Sequence, residues 1–329
     1  MQQLLAPGLT FTHLGYGSSQ LMGGITRRES IALLETAFDA GIRHFDTAPS
    51  YGYGHAEGVL GEALRSKRDR VTIATKFGLR PPRNQNLLAL ARRVLLPMIK
   101  LAPGVKSRLS RAAGGLVARA RFSPEEMRSS IDASLTALRT DYIDVFLLHE
   151  AVVADLTDEL FAELERNVRA GKIRSFGVGS EAAAAMQIHR IEPRFCPVMQ
   201  FEWSVLSCEK PTCPGSLLIT HRGLSTNFLR IRAWLQANPR VANGWSEELG
   251  CNVNEASTLA NLMLAAARHA NPRGITLFSS RSHQNIRANA RLLLENSDLH
   301  GAKASFAALV ARDAGALLNA PLSATSIGR

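Results

Sequence analysis

Short runs rich in apolar, β-branched and aromatic residues alternate along this chain with longer segments whose apolar positions recur every three to four residues. The short runs fall at residues 11–16, 42–47, 71–76, 142–149, 173–178, 196–201, 216–220 and 274–279. Several are continuously apolar, the pattern of strands buried on both faces of a parallel sheet. Between them, residues 27–40 place Ile31, Leu34, Ala37 and Phe38 on one helical face and stop at Gly41, a residue suited to the position after a helix end. Ser123-Pro124-Glu125-Glu126 reads as an N-cap, a proline at the first helical position and an acid at the third, opening a helix that runs to about Arg139. Residues 156–170 form another helix, ending at Gly171.

Eight strands separated by about eight helices predict a (β/α)8 TIM barrel, an α/β fold. The expectation is a single barrel domain over residues 1–329 with a C-terminal helical tail over 295–329. The competing architecture is a doubly wound sheet, which carries a Gly-rich dinucleotide fingerprint after its first strand. Gly15-Tyr16-Gly17-Ser18 lacks the third glycine at the required spacing.

One segment interrupts the alternation. Residues 83–121 hold nine Lys or Arg and no Asp or Glu, whereas the whole chain carries +11; without the segment the net charge falls to +2. The excess is one local block, so no protein-wide nucleic-acid footprint is present. The segment lies between the third and fourth strands and reads as a basic loop insertion at the catalytic end of a barrel, where it is expected to act as a lid. Its charge would draw anionic substrates or surfaces. Leu87, Ala91, Val94, Leu95, Met98 and Leu101 within it follow a roughly helical spacing, so contact with a membrane surface is the secondary expectation, although Pro97 breaks the run.

Four polar residues stand at or just past strand ends: Asp46 in His44-Phe45-Asp46-Thr47-Ala48, Tyr51 shortly after it, Lys76 in Thr75-Lys76-Phe77-Gly78, and His149 in Phe146-Leu147-Leu148-His149. In a barrel, successive strand ends share one rim, so these groups converge. A phenol with a pKa of roughly 10 is a weak proton donor at neutral pH. A neighbouring ammonium stabilises the phenolate and lowers that value. Asp46 can hold Lys76 charged, His149 can orient a carbonyl oxygen, and Tyr51 can protonate that oxygen as hydride reaches carbon.

With these residues in place the sequence resembles the aldo-keto reductase superfamily. The matching pieces are Phe45-Asp46-Thr47-Ala48-Pro49-Ser50-Tyr51-Gly52, Thr75-Lys76, Asp144-Val145-Phe146-Leu147-Leu148-His149, Gly171-Lys172-Ile173-Arg174-Ser175-Phe176-Gly177-Val178-Gly179 and Val198-Met199-Gln200-Phe201. The resemblance covers most of residues 8–295 apart from the basic segment and residues 207–271. It implies an NAD(P)(H)-dependent oxidoreductase acting on aldehydes, ketones and alcohols, with Asp46, Tyr51, Lys76 and His149 as the catalytic tetrad and Tyr51 as general acid. It also implies a nicotinamide cofactor across the strand ends. Gly17 and Ser18 would line the nicotinamide ribose beside Asp46, Ser180 and Gln200 would bond the carboxamide, and His221 would stack where the family commonly has Tyr. The adenosine phosphate would lie against Ser279, Ser280, Arg281, Asn285 and Asn289. The family's Ser-Asn is Gly179-Ser180 here, and Ser279 and Asn285 stand where a Lys and an Arg are common. Arg281 points to NADP(H) as the cofactor, with NAD(H) as the alternative.

A small-molecule carbonyl or alcohol is the expected substrate, with no nucleic-acid partner. The rival reading is a cofactor-binding regulatory or scaffold barrel that docks through its basic insertion to a membrane or an acidic partner. No apolar run is long enough to span a bilayer, and the first 26 residues contain no Lys or Arg, so a secretory leader is not expected. Four cysteines fit a reducing, cytoplasmic setting. Cys208-x4-Cys213 lacks the second ligand pair of a zinc site, so no metal is expected. Trp203 and Trp245 either line a substrate pocket or pack in the interior.

Overall fold

Eight parallel strands close on themselves. In chain order, β1 is Leu14–Gly17, β2 His44–Asp46, β3 Thr72–Phe77, β6 Ile143–His149, β7 Ile173–Gly179, β8 Val198–Glu202, β9 Leu217–His221 and β10 Ile275–Phe278. Around the barrel they run β1-β10-β9-β8-β7-β6-β3-β2. The chain is described by a computed structural model over residues 11–22, 24–81, 118–207, 212–293 and 300–319. The (β/α)8 barrel expected from the alternation is the fold observed. Each strand lies within two or three residues of its predicted span, because continuous apolar runs are dictated by burial on both faces.

The inner core holds Ala74, Val145, Leu147, Val198, Ile219, Ile275 and Leu277. The outer faces of the strands pack against α1 (Arg27–Asp39), α2 (Ala56–Leu64), α3 (Pro124–Leu138), α4 (Asp158–Arg169) and α5 (Ala182–Ile191). The helix ends follow the predicted chemistry. Gly41 and Gly171 have φ of +97° and +73°, a backbone region closed to most side chains. Ser123 accepts a hydrogen bond from the Glu126 amide at 3.3 Å. The Glu126 carboxylate accepts from the Arg121 amide at 3.0 Å, which ties the incoming chain to the helix. At the opposite end of the barrel from the tetrad, fully buried Asp144 accepts from Arg68 at 2.7 Å, the Ile73 amide at 2.9 Å and Arg174 at 3.0 Å.

Two departures from the predicted order matter. Regular alternation expected a helix after every strand, yet among the described residues β8 is followed only by a short turn at Val205–Ser207. Instead, β9 is followed by three helices: α6 (Ser225–Ala237), α7 (Pro239–Leu249) and α8 (Ala256–Ala270). Then β10 is followed by α9 (His283–Ala290), α10 (His300–Arg312) and α11 (Ala314–Asn319). A second hydrophobic core explains the exchange. Val205, Leu206, Trp234, Trp245, Leu262, Phe306, Leu309 and Leu317 pack together, so the C-terminal helices cover the apolar surface that a helix after β8 would otherwise cover. Trp245 is fully buried there, its indole N–H donating to Asp313 at 3.0 Å. Trp203 packs on Ala267 and Ala270. Both tryptophans are therefore packing residues.

The second departure concerns the basic segment. Its lid and membrane-facing roles fall on residues 82–117, outside the described residues. Residues 118–121, counted in the insertion by charge alone, belong to the frame: β5 (Ala118–Arg119) pairs antiparallel with β4 (Leu79–Arg80), and the Ala120 amide donates to the Gly78 carbonyl at 2.7 Å. Gly78 itself has φ +137°, and a Cβ there would meet the His149 carbonyl oxygen at 2.2 Å. The ribbon therefore sits directly against the end of β6.

Phe306→Ala tests whether the C-terminal helices belong to the same cooperative unit. Removing this fully buried ring should cost about 3–5 kcal/mol. Urea unfolding should show one transition at a lower midpoint; a separate early transition would mean that the second core unfolds on its own.

Candidate active site

Strand register assembles the rim. Gly17 pairs with Asp46, His149 with Gly179, Gly179 with Gln200, and Glu202 with His221. Because all eight strands point the same way, these residues share one end of the barrel. Lys76 lies at the centre and is 1% exposed. Its Nζ donates to Asp46 Oδ1 at 2.7 Å, to Oδ2 at 2.8 Å and to the Thr47 carbonyl at 2.9 Å. It also bonds the Tyr51 side chain, whose ring centre is 4.7 Å away. Tyr51 opens a 3-10 turn, Tyr51–Gly54, and its ring meets the His149 ring edge-on at 6.2 Å between centres. The Asp46, Tyr51, Lys76 and His149 predicted to converge do so. Gln200 joins them, Nε2 donating to Asp46 Oδ2 at 2.7 Å.

Burial and charge set the protonation states. Burial disfavours the Lys76 charge, but Asp46 and then Tyr51 more than offset this, and the ammonium is held above its ordinary pKa. For Tyr51, burial pushes the phenol up and outweighs the opposing pull of Lys76. The ammonium by itself would lower the value, and burial reverses that expectation. In this environment the hydroxyl keeps its proton, as a donor must. Burial, followed by the nearby Lys76 charge, lowers His149 to about 3. Burial alone is the largest cause for His44, lowered to about 4, and for His221, also about 4.

Asp46, Tyr51 and His149 line a pocket of about 430 Å³ together with Gly17, Ser180, Gln200, His221 and Ser279. Several predicted cofactor ligands are already engaged. The Ser180 hydroxyl donates to the Ala151 carbonyl at 2.9 Å and the Ser279 hydroxyl to the Gly17 carbonyl at 2.7 Å. With one Nε2 hydrogen on a carboxylate, Gln200 keeps its amide oxygen and its second N–H for a ligand. Ser18 is 1% exposed, with a buried hydroxyl that has no partner. Ser280, Arg281, Asn285 and Asn289 do not line this pocket. The Ser280 hydroxyl accepts from the Ser282 amide at 3.1 Å, Arg281 and Asn285 are exposed, and Asn289 is buried. Lining residues that the strand-end pattern missed include Glu150, Glu181, Glu202 and Arg222. Glu202 closes β8 and the other three lie one or two residues past strand ends, where no apolar periodicity marks a position. Among the described residues no group of His, Cys, Asp or Glu is arranged to hold a metal.

The model of the aldo/keto reductase family matches residues 13–212. This chain belongs to that family. Among its relatives, pyridoxal 4-dehydrogenase of Microbacterium luteolum is 50% identical over 74 residues, 22% of each chain. D-threo-aldose 1-dehydrogenase of a Pseudomonas species is 33% identical over 190 residues, covering 55% of this chain and 54% of that one. The chain thus spans about half the length of the second relative and less of the first. An aldo-keto reductase from Klebsiella pneumoniae in complex with NADPH shares the fold at a TM-score of 0.63 and 22% identity, over 93% of this chain and 94% of the other. The family match ends before α6, α7 and α8, so most of the second core of this aldo/keto reductase lies outside it, Val205 and Leu206 excepted.

The neutral histidines predict an acid-sensitive fold. His44 and His149 stay uncharged in the native state down to about 4 and about 3, whereas the unfolded chain protonates them near 6.5. Below that pH the unfolded state binds more protons, so stability falls as pH drops from about 6.5 toward 4, by up to ~1.4 kcal/mol per pH unit for each histidine. Urea midpoints at pH 7, 6 and 5 should follow this trend. His44→Asn should show a shallower slope, and an unchanged slope would remove His44 from the account.

Proposed function

We propose that this protein is a nicotinamide-dependent oxidoreductase that interconverts a carbonyl compound and its alcohol, with Tyr51 as the general acid. The observation that carries the reading is the buried Lys76 ammonium, held by Asp46 and bonded to Tyr51 at the floor of a pocket. A buried cation is expensive unless every donor is satisfied, and here its remaining contact falls on the one phenol that faces the pocket.

The substrate carbonyl oxygen sits between the Tyr51 hydroxyl and the His149 imidazole. When bound, the nicotinamide supplies hydride to the carbonyl carbon. The Tyr51 hydroxyl proton then moves to the oxygen, and the phenolate that remains is stabilised by Lys76, whose charge Asp46 keeps in place. His149, neutral with a pKa of about 3, orients the oxygen without competing as a strong acid. Water reprotonates Tyr51. Alcohol oxidation uses the same groups in reverse.

The wall formed by Gly17, Gln200, His221 and Ser279 fits a nicotinamide ribose and carboxamide. The Gln200 amide oxygen and its second N–H are left to bond it. Ser180, whose hydroxyl donates to a backbone carbonyl, keeps its acceptor lone pairs for the carboxamide N–H. The proposed cofactor is NADP(H). Arg281 is exposed at the loop leading into α9, near Gly24, and is the cationic side chain proposed to meet the 2′-phosphate.

Tyr51→Phe should lower kcat by about 10²–10⁴-fold while leaving cofactor affinity nearly intact, as read by turnover of a carbonyl panel beside fluorescence titration of NADPH. Near-normal kcat in the variant would remove Tyr51 as the acid. Arg281→Ala should weaken NADPH by a few kcal/mol at most and NADH far less; equal changes in Kd for the two cofactors would count against the phosphate contact.

A further inference from the structure

Four carboxylates line the pocket: Asp46, Glu150, Glu181 and Glu202. Two of them are matched, Asp46 by Lys76 and Glu202 by Arg222 at 3.0 Å. Among the described residues Glu150 and Glu181 form no ion pair, and they lie together on the tetrad side of the pocket. Glu150 directly follows His149, and the Glu181 amide donates to the Glu150 carboxylate. Glu150 and Glu181 follow β6 and β7, whereas Gly17, His221 and Ser279, assigned to the cofactor, come from β1, β9 and the end of β10.

Glu150 is also held firmly. Its amide donates to the Gly179 carbonyl at 2.8 Å, and its own carbonyl accepts from Arg119 at 3.1 Å. Arg119 is in turn fixed by Asp155 at 2.5 Å. These bonds keep Glu150 at φ +55°, a conformation that side chains other than glycine rarely adopt. His149, which adjoins Glu150 in the chain and is assigned to the substrate oxygen, lines the same pocket. It is only 9% exposed, and its Nδ1 has no partner.

We propose that the substrate is positively charged: a carbonyl compound bearing an amino group or a protonated nitrogen heterocycle, or the corresponding alcohol. Glu150 and Glu181 hold its cation while its oxygen faces Tyr51 and His149. This assignment rests on the oxidoreductase reading of the same site. Burial and the neighbouring Glu181 charge both raise the Glu150 pKa, the mark of like charges that a bound cation would relieve. The sign is opposite to the one suggested by the basic segment, whose charge favours anions. The pocket wall acts at contact distance, whereas the pull of any charge across water is screened beyond about 8–10 Å.

The test compares 4-(trimethylammonio)benzaldehyde, benzaldehyde and 4-carboxybenzaldehyde as substrates of the full-length protein with NADPH and NADH. The cationic aldehyde should exceed the neutral one in kcat/KM by about tenfold, a preference of the size two nearby carboxylates supply at surface dielectric, and the anionic one should be poorest. In Glu150→Gln and Glu181→Gln the cation-to-neutral ratio should fall by several-fold, and raised salt should reduce it in the unmodified protein. Calorimetric binding of benzyltrimethylammonium, compared with neutral benzyl alcohol, reads the same subsite without turnover and does not depend on either variant folding. If all three aldehydes turn over equally and the ammonium compound binds no better than benzyl alcohol, the charge assignment is overturned. If the ammonium compound binds preferentially and loses affinity in Glu150→Gln while no aldehyde or alcohol turns over, the cation subsite stands and the oxidoreductase reading fails.

Discussion

Everything at the open end of this barrel depends on keeping one ammonium group charged inside it. Stripping Lys76 of water costs several kcal/mol before any partner is counted. Two Asp46 oxygens, the Thr47 carbonyl and Tyr51 together satisfy it. These partners come from the end of β2 and the loop that follows, while Lys76 is on β3, so the ion pair exists only when those strands are registered side by side. Asp46 has a second obligation to Gln200 on β8, which lies across the barrel. The pair therefore fixes the width of the rim as well as its charge.

The same cation governs its neighbours. A second positive charge beside Lys76 would be repelled, so His149 and His221, already disfavoured as cations by burial, remain neutral imidazoles. Tyr51 is pulled two ways, and burial prevails. The site at rest thus holds one fixed cation, one protonated phenol and neutral histidines, a state in which a proton is available to a carbonyl oxygen and few competing acids are present.

Around this rim the supporting structure departs from regular alternation on one side. The apolar surface near Val205 and Leu206 is covered from the C-terminal end of the chain, through Phe306, Leu309 and Leu317, rather than by a helix of its own. Trp245 anchors that arrangement with its whole ring buried and its N–H on Asp313. The helices of this second core follow β9 and β10, and the residues immediately after β9, among them Arg222, line the pocket. Packing far from the tetrad is in this way tied to the shape of the pocket mouth.

The barrel was legible in the sequence because strands buried on both faces must be apolar throughout, a local requirement that survives in any single stretch of chain. The helix ends were legible for the same reason: Ser123, Gly41 and Gly171 answer to backbone geometry within a few residues of themselves. The positions of Asp46, Tyr51, Lys76 and His149 could be read once strand ends were located, since parallel strands bring their ends to one rim. Other features depended on contacts between residues far apart in the chain. Trp245 pairs with Asp313 across 68 residues, and the replacement of one barrel helix by C-terminal ones leaves no local mark. The membership of residues 118–121 in the frame depends on β4 and the Gly78 carbonyl, while their composition alone placed them with the basic segment. The pKa of Tyr51 followed burial, which no spacing reports. Residue type and period are local properties that a sequence carries directly; desolvation and charge pairing between distant segments come into being only when the barrel closes.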